Sequence, residues 1–391
     1  MNSKKGSYRA KNTVLVATSV VLSLILAETA IRLLFSKPEY SNRFLFWSSP
    51  HLVLDEHGAV RYLANETVRK ISMYGTEIEY DLTYQTNNMG LVDTVDYDVS
   101  TDGRGADRHI ALVGDSITAG SGGTGWIPVL RKQIDSAYRG IELYNLGVSG
   151  AGVEHFYKLL NSVAHDIQFT DIIIIAISND FQRPMWRPLT TTSEIRFCPF
   201  EESDEVCRKR LPVARVVDFD ITEAHVTQLA DRLIKKRAER DGAEKSDDAF
   251  AFGGLMRHSR LFDLVYNLYH DLPLFAAGER KQRVSPALKR FVVSKNIRML
   301  GKIRDQFPAA NIHLIQLPER HEVLSGRYDR DMRGQVEQLG VAFFPALERC
   351  SWSEDMYHLY DLHPNDKGYE SITTCVKEYL SGLFLDSSSG Q

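Results

Sequence analysis

The hydrophobic positions of this chain fall into three patterns, and each predicts a different kind of element. The first is a continuous run. Residues 13–35 are largely apolar, broken by Glu28 and Arg32. At about 1.5 Å of rise per residue, such a run is long enough to cross a hydrocarbon core of about 30 Å. Glu28 and Arg32 lie four apart, so they share a helix face and can pair, and Arg32 can snorkel to the interface. Lys4, Lys5, Arg9 and Lys11 precede the run, and only Lys37 and Arg43 follow it closely. That bias puts the N-terminus inside and the remainder outside. The expectation is a cytoplasmic segment over 1–12 and a signal anchor over 13–35. A cleaved signal fits less well, because cuts after Ala27 or Ala30 place Ile25 or Glu28 at the −3 position. A buried core helix is the third reading, and the basic flank and the length speak against it.

The second pattern is alternation. Residues 77–84 (EIEYDLTY) alternate as a strand does, followed by the turn formers Asn87, Asn88 and Gly90. Residues 36–107 read as an extracytoplasmic arm that ends in the polar linker 101–107. The third pattern is a series of short apolar runs, at 110–113, 141–144, 171–177, 311–317 and 341–344. Amphipathic stretches at 126–138, 286–307, 329–339 and 367–383 separate them. The run 171–177 is unbroken, as in a strand covered on both faces. Strands alternating with helices predict a parallel sheet flanked by helices. The rhythm stops over 185–285, which reads as a large insertion over one sheet edge, with a charged helix around 225–244. The Ser-rich tail 384–391 is expected to be disordered.

Composition narrows the choice of function. Lys and Arg number 47 against 51 Asp and Glu, a net charge of −4, so nothing resembles the basic stripe of a nucleic-acid partner. Four cysteines are too few for a disulfide scaffold and have no zinc-type spacing. Cys198 and Cys207 bracket a short acidic loop, and Cys350 and Cys375 flank residues 361–365. Bridges Cys198–Cys207 and Cys350–Cys375 are expected if the domain lies in an oxidising compartment. Four cysteines allow three pairings, and four free thiols is the alternative.

The chemistry gathers at the ends of the predicted strands. The first ends at Gly114-Asp115-Ser116, where a small residue lets the chain turn and lift a hydroxyl above the carboxyl edge of the sheet. The second ends in the stretch from Asn145 to Gly150, and the third in Ser178-Asn179-Asp180. The N–H groups of Ser116 and Gly150 and the Asn179 amide are candidate donors to an oxyanion. Near the C-terminus, His363 is a candidate general base, and Asp361 a carboxylate to hold its ring. Each residue also has a plainer reading: Ser116 as a turn serine, Asn179 as a helix cap, His363 as a cap before Pro364. Trp186, Tyr357 and Tyr360 are candidates for a sugar-binding wall, with core packing as the alternative.

These blocks, in this order, resemble the SGNH (GDSL-type) hydrolase family over about residues 108–383, less the insertion. The resemblance implies a flavodoxin-like three-layer α/β/α sandwich and ester or acyl chemistry with no metal or cofactor. By match of motif, Ser116 is the nucleophile, Gly150 and Asn179 complete the oxyanion hole, and His363 is the base. Anchored bacterial members often carry a Glu–Arg pair late in the membrane helix, much like Glu28 and Arg32. Two places depart from the family. Ile177 stands where a glycine usually precedes the asparagine by two. Asp361 lies two before the histidine rather than three, where Tyr360 stands. This arrangement resembles members that modify cell-surface polysaccharides. The expected protein is therefore a membrane-anchored esterase or O-acyltransferase acting on O-acyl groups of an extracytoplasmic carbohydrate. A lipid or small-ester hydrolase and a catalytically idle glycan-binding or scaffold domain are the alternatives.

Overall fold

The computed structural model describes residues 43–48, 52–97, 107–243 and 286–388, with scattered helical positions between 18 and 29. The chain divides into two compact units. One is Asn42–Asp231 with Val284–Gln391, and it carries every feature below. The other is Met1–Ser41 with Arg232–Arg283, described only at those scattered positions and at the end of the helix Glu223–Ala243. Among the described residues no helix is long and apolar enough to cross a membrane. The anchor expected at 13–35 lies outside the described residues but for those scattered positions, and 1–12 and most of the linker lie wholly outside them.

Five parallel strands form the central sheet: β6 (Arg108–Gly114), β7 (Ile141–Gly147), β8 (Asp171–Ala176), β12 (Asn311–Gln316) and β13 (Ala342–Pro345). Their order is β13-β12-β8-β6-β7. Taken in chain order this is the doubly wound arrangement, in which the crossover direction reverses beside the first strand. Alternation sorts the side chains into two cores. Ala111, Val113, Ile172 and Ile174 face one layer with the helices α2 (Val153–Val163) and α5 (Pro286–Gln306). Ile110, Leu112, Ile173 and Ile175 face the other, with α1 (Trp126–Ala137) and α9 (Asp366–Ser388). Because β8 is buried on both faces, truncating Ile174 to alanine would cost about 2–5 kcal/mol. The sequence-predicted strands and the α/β class are found here.

The expected arm and insertion are organised differently. β1 (Arg43–Ser48), β4 (Thr67–Tyr74) and β5 (Glu77–Gln85) come from the segment read as an arm. β9 (Trp186–Thr190), β10 (Glu194–Pro199) and β11 (Ala214–Val217) come from the segment read as an insertion. They join in one six-stranded sheet, ordered β5-β4-β1-β11-β10-β9. The join is a parallel pairing of β1 with β11, Trp47 opposite Val216. Neither half has a partner for its exposed strand edge without the other, so residues far apart in sequence complete one ladder. The small pair β2 (Leu52–Leu54) and β3 (Val60–Tyr62) lies apart from both sheets. The tail differs too. α9 runs to Ser388, past the boundary at 384 expected for disorder, because Phe384 is buried against Tyr138 (ring centroids 4.8 Å apart) and extends the packed face. The helix expected over 329–339 is only one short turn, Arg333–Glu337.

Candidate active site

Gly114 ends β6 because nothing larger fits. A Cβ there would overlap Thr118 Oγ1 and the Ile175 carbonyl of the neighbouring strand. The chain therefore turns at Asp115, whose Oδ1 accepts the Ile117 N–H at 2.8 Å. Ser116 follows, 6 % exposed. Its hydroxyl lies 2.8 Å from His363 Nε2 and 3.3 Å from Asp115 Oδ2. The hydroxyl has one proton, and the histidine is the closer acceptor.

Asp361 Oδ2 lies 2.9 Å from the far ring nitrogen, His363 Nδ1, and the aspartate side chain is fully buried. The ring nitrogen is not aligned for a straight hydrogen bond, so the contact is a close approach of the carboxylate to the ring edge. The backbone explains how residues two apart converge. Leu362 between them has φ +65°, a left-handed conformation that costs a branched residue about 1–3 kcal/mol. Long-range contacts hold it there. The Tyr80 hydroxyl donates to Asp361 Oδ2 and the Arg43 guanidinium pairs with Oδ1. Glu79 accepts the N–H groups of Tyr360 and Asp361, at 2.7 and 2.9 Å. Glu79 is the extra residue of a β-bulge, since Ser72 pairs with Tyr80 and Met73 with Ile78. A bulge re-aims side chains in this way. The disulfide Cys350–Cys375 ties the segment leading to this loop to α9, and Cys198–Cys207 ties β10 to the short helix Asp204–Arg208. These are the two pairs expected from the sequence.

The donors stand at the same sheet edge. Gly147 and Ile175 both pair with Gly114, so Ser116, Gly150 and Asn179 emerge together at the carboxyl ends of β6, β7 and β8. Among the described residues the N–H groups of Ser116 and Gly150 have no hydrogen-bond partner. Gly150 has φ +74°, and a Cβ there would meet Phe197 Cε2 at 2.5 Å. Its carbonyl accepts from Trp186 Nε1 at 2.8 Å, and Trp186 stacks on Phe197. The peptide is thus fixed with its N–H unspent. Asn179 is exposed and its amide has no partner among the described residues. Ile177, where the family usually has glycine, adopts φ −104°, a conformation open to any residue, so the departure leaves the loop intact.

One cation pins the strand ends together. Arg183 Nη1 bonds Asp115 Oδ2 at 2.8 Å, Asp180 Oδ1 at 2.5 Å and the Ala151 carbonyl at 2.9 Å. Burial first, and Asp115 second, push the Asp180 carboxyl well above the usual carboxylate range, while Arg183 pulls it back. The His363 imidazole is held well below its ordinary 6.5, first by burial, then by the charges of Lys70 and Arg43. It is therefore neutral near pH 7, as a proton acceptor must be. For a metal, Glu319, His321 and Glu322 bring donor atoms within 4.8 Å of one another. Two are already engaged, Glu322 by the Asp329 N–H at 2.7 Å and His321 by the Asp329 carboxylate at 2.8 Å.

The structure thus brings Ser116, His363 and Asp361 into contact and sets Gly150 and Asn179 at the same edge. Of the aromatic candidates, Trp186 and Tyr357 are each 6 % exposed. Both are committed to internal bonds, Tyr357 to the Pro318 carbonyl. Tyr360 stacks flat on Tyr74 at 3.6 Å. Sequence reasoning missed Arg43, Lys70, Glu79, Tyr80 and Arg183. The alternation at 77–84 predicted the strand, but no local signal says which loop a strand will face.

A hydroxyl on an imidazole whose other nitrogen meets a buried carboxylate, at the carboxyl edge of a parallel sheet, defines the class of a serine hydrolase. Residues 110–216 match the family model described as GDSL-like Lipase/Acylhydrolase. Over that stretch the chain is similar to the GDSL-type, or SGNH, hydrolases, and it is a serine ester hydrolase. No curated protein matches it. Among solved structures it is similar to the lipase/acylhydrolase from Enterococcus faecalis (10% identity, 70% of this chain and 96% of that one, TM-score 0.32). It is also similar to the psychrotrophic esterase EstA from Pseudoalteromonas sp. (12%, 70% and 100%, 0.34). A third is the acetylxylan esterase Axe2 from Geobacillus stearothermophilus (12%, 70% and 93%, 0.32).

Proposed function

We propose that this ester hydrolase works through an acyl-enzyme on Ser116 and acts, from a membrane anchor, on O-acyl groups of an extracytoplasmic carbohydrate. The 2.8 Å contact between Ser116 Oγ and His363 Nε2 carries the reading. His363 takes the hydroxyl proton as Oγ attacks the acyl carbonyl, and Asp361 steadies the resulting imidazolium. The Ser116 and Gly150 N–H groups, joined by the Asn179 amide, receive the oxyanion. His363 then protonates the departing alcohol. Water or a sugar hydroxyl accepts the acyl group in the second half, so hydrolysis and transfer share the first. Two disulfides support an oxidising compartment. The apolar run with its basic flank supports the anchor, and the family resemblance of the Asp361-Leu362-His363 block supports the glycan.

The test uses the full-length chain. A fluorophosphonate probe should label wild type and not Ser116→Ala; equal labelling removes Ser116 as nucleophile. Mass spectrometry of acylated polysaccharides, with and without an acyl donor, then reads hydrolysis against transfer. Turnover of simple esters with no acyl change on any glycan would overturn the carbohydrate assignment.

A further inference from the structure

Lys70 is a buried basic side chain close to the catalytic residues, with no hydrogen-bond partner among the described residues. It sits in the middle of β4, opposite Trp47 of β1 and Leu82 of β5. Residues directly opposed in a ladder share a face. Lys70 and Ser72 alternate along β4, and Ser72 is opposite Tyr80, so Lys70 shares the face from which Tyr80 reaches Asp361. The residue is 2 % exposed. Its ammonium lies 5.7 Å from the Trp47 ring centroid and 5.9 Å from that of Tyr80. Among the described residues nothing accepts a hydrogen bond from it.

The charged groups around it are all engaged elsewhere. Asp361 is held by Arg43, Tyr80 and His363. Asp115 is held by Arg183 and the Ile117 N–H. Glu79 takes two backbone N–H groups of the catalytic loop. Arg43 adds a second positive charge, and Lys70 is the foremost charge acting on His363. A buried ammonium with no anion beside it is normally selected against. Here it stands between two aromatic rings, one of them the Tyr80 that bonds Asp361, and a bound anion would complete it.

We propose that Lys70 is a specificity-determining residue that receives an anionic group, such as a carboxylate, carried by the ester substrate close to its scissile bond. The proposal rests on the Ser116–His363 reading above. It adds that the favoured ester is an acid: the charge lies either on the acyl chain or on the alcohol, as in a sugar acid. A charge-assisted bond formed in a dry site is worth about tenfold to a hundredfold in affinity.

The experiment compares each acid with its own methyl ester, on the full-length chain. For the acyl side the pair is para-nitrophenyl hydrogen adipate and its methyl ester; for the alcohol side, para-acetoxybenzoate and its methyl ester. Wild type should favour the acid in at least one pair, which also identifies the side. Lys70→Met should lower the acid-to-methyl-ester ratio of kcat/KM by about tenfold to a hundredfold, mainly through KM. Lys70→Arg should restore much of it. A ratio equal in wild type and Lys70→Met for both pairs overturns the proposal. If neither labelling by fluorophosphonate nor turnover is seen, the serine reading itself fails. Calorimetric binding of benzoate and adipate then decides for Lys70 alone: tighter binding by wild type than by Lys70→Met sustains it, and equal binding overturns it.

Discussion

An unpaired buried ammonium should be a burden on the fold, and Lys70→Met measures that burden. Burial, reinforced by the Arg43 charge and eased by Asp115, lowers Lys70 from 10.5 to about 7. At about 1.4 kcal/mol per tenfold, keeping it charged in the folded state below that pH costs about 5 kcal/mol. Methionine keeps the apolar stem but loses the contacts with the Trp47 and Tyr80 rings, about 0.5–1 kcal/mol each. The net gain near pH 6 is therefore about 3–4 kcal/mol. The sign follows from proton counts. Between about pH 7 and pH 10.5 the unfolded chain holds a proton that the folded chain has released, so wild-type stability rises with pH through that window. The advantage of the methionine variant is full below about pH 7 and has shrunk to about 1 kcal/mol by about pH 9.5. Parallel thermal unfolding of the two full-length proteins across this range reads the gap. A methionine variant less stable than wild type near pH 6, or a gap that stays level with pH, refutes the reasoning.

The same charge should appear in catalysis. His363 is held below 6.5 by burial, then Lys70 and Arg43, so the acid limb of kcat/KM lies below pH 6.5, and Lys70→Met moves it upward by making the imidazolium less unfavourable. Arg183→Gln leaves Asp115 and Asp180 facing each other in the interior, a loss of about 3–5 kcal/mol in thermal unfolding. Pairing it with Asp180→Asn should recover part of that loss, and no recovery would mean the two carboxylates do not compete. Asp361→Asn should lower kcat about a hundredfold to ten-thousandfold with KM little changed, since the imidazolium formed in the reaction loses the carboxylate beside Nδ1; Tyr80→Phe should lower it about tenfold in steady-state assays. Non-reducing peptide mapping of protein made in its native compartment should recover Cys198 with Cys207 and Cys350 with Cys375, and four free thiols would remove both bridges.

The parallel sheet was legible because its strands are self-sufficient signals. After Asp171 the run 172–177 has no polar position on which a face could be exposed, and only a strand covered on both sides uses such a segment. The strand-end motifs were legible as short local blocks, although the groups that exclude a side chain at Gly114 and Gly150 include the Ile175 carbonyl and the Phe197 ring from other strands. The second sheet was not legible. β1 and β11 are separated by most of the catalytic core, and neither carries a pattern that names the other as its neighbour. Alternation at 77–84 identifies a strand but not its bulge, because the extra residue, Glu79, is defined only against its partner β4.

This difference bears on the catalytic acid. From spacing alone, an aspartate two residues before a histidine is a weaker orienting group than one three before, because an ordinary backbone would not bring both side chains onto one line. The left-handed Leu362 supplies the missing turn, and a branched residue holds that conformation only where its surroundings impose it. Those surroundings are Glu79 on the loop's N–H groups and Tyr80 and Arg43 on the carboxylate, all from the segment that reads as a connector. Strands β1 and β5 are therefore part of the catalytic unit in a physical sense: without them the Asp361 carboxylate would lose Arg43 and Tyr80, and Leu362 would relax toward negative φ. Catalysis by His363 depends on residues nearly three hundred positions away, which is why no reading of the motif itself could rank Asp361.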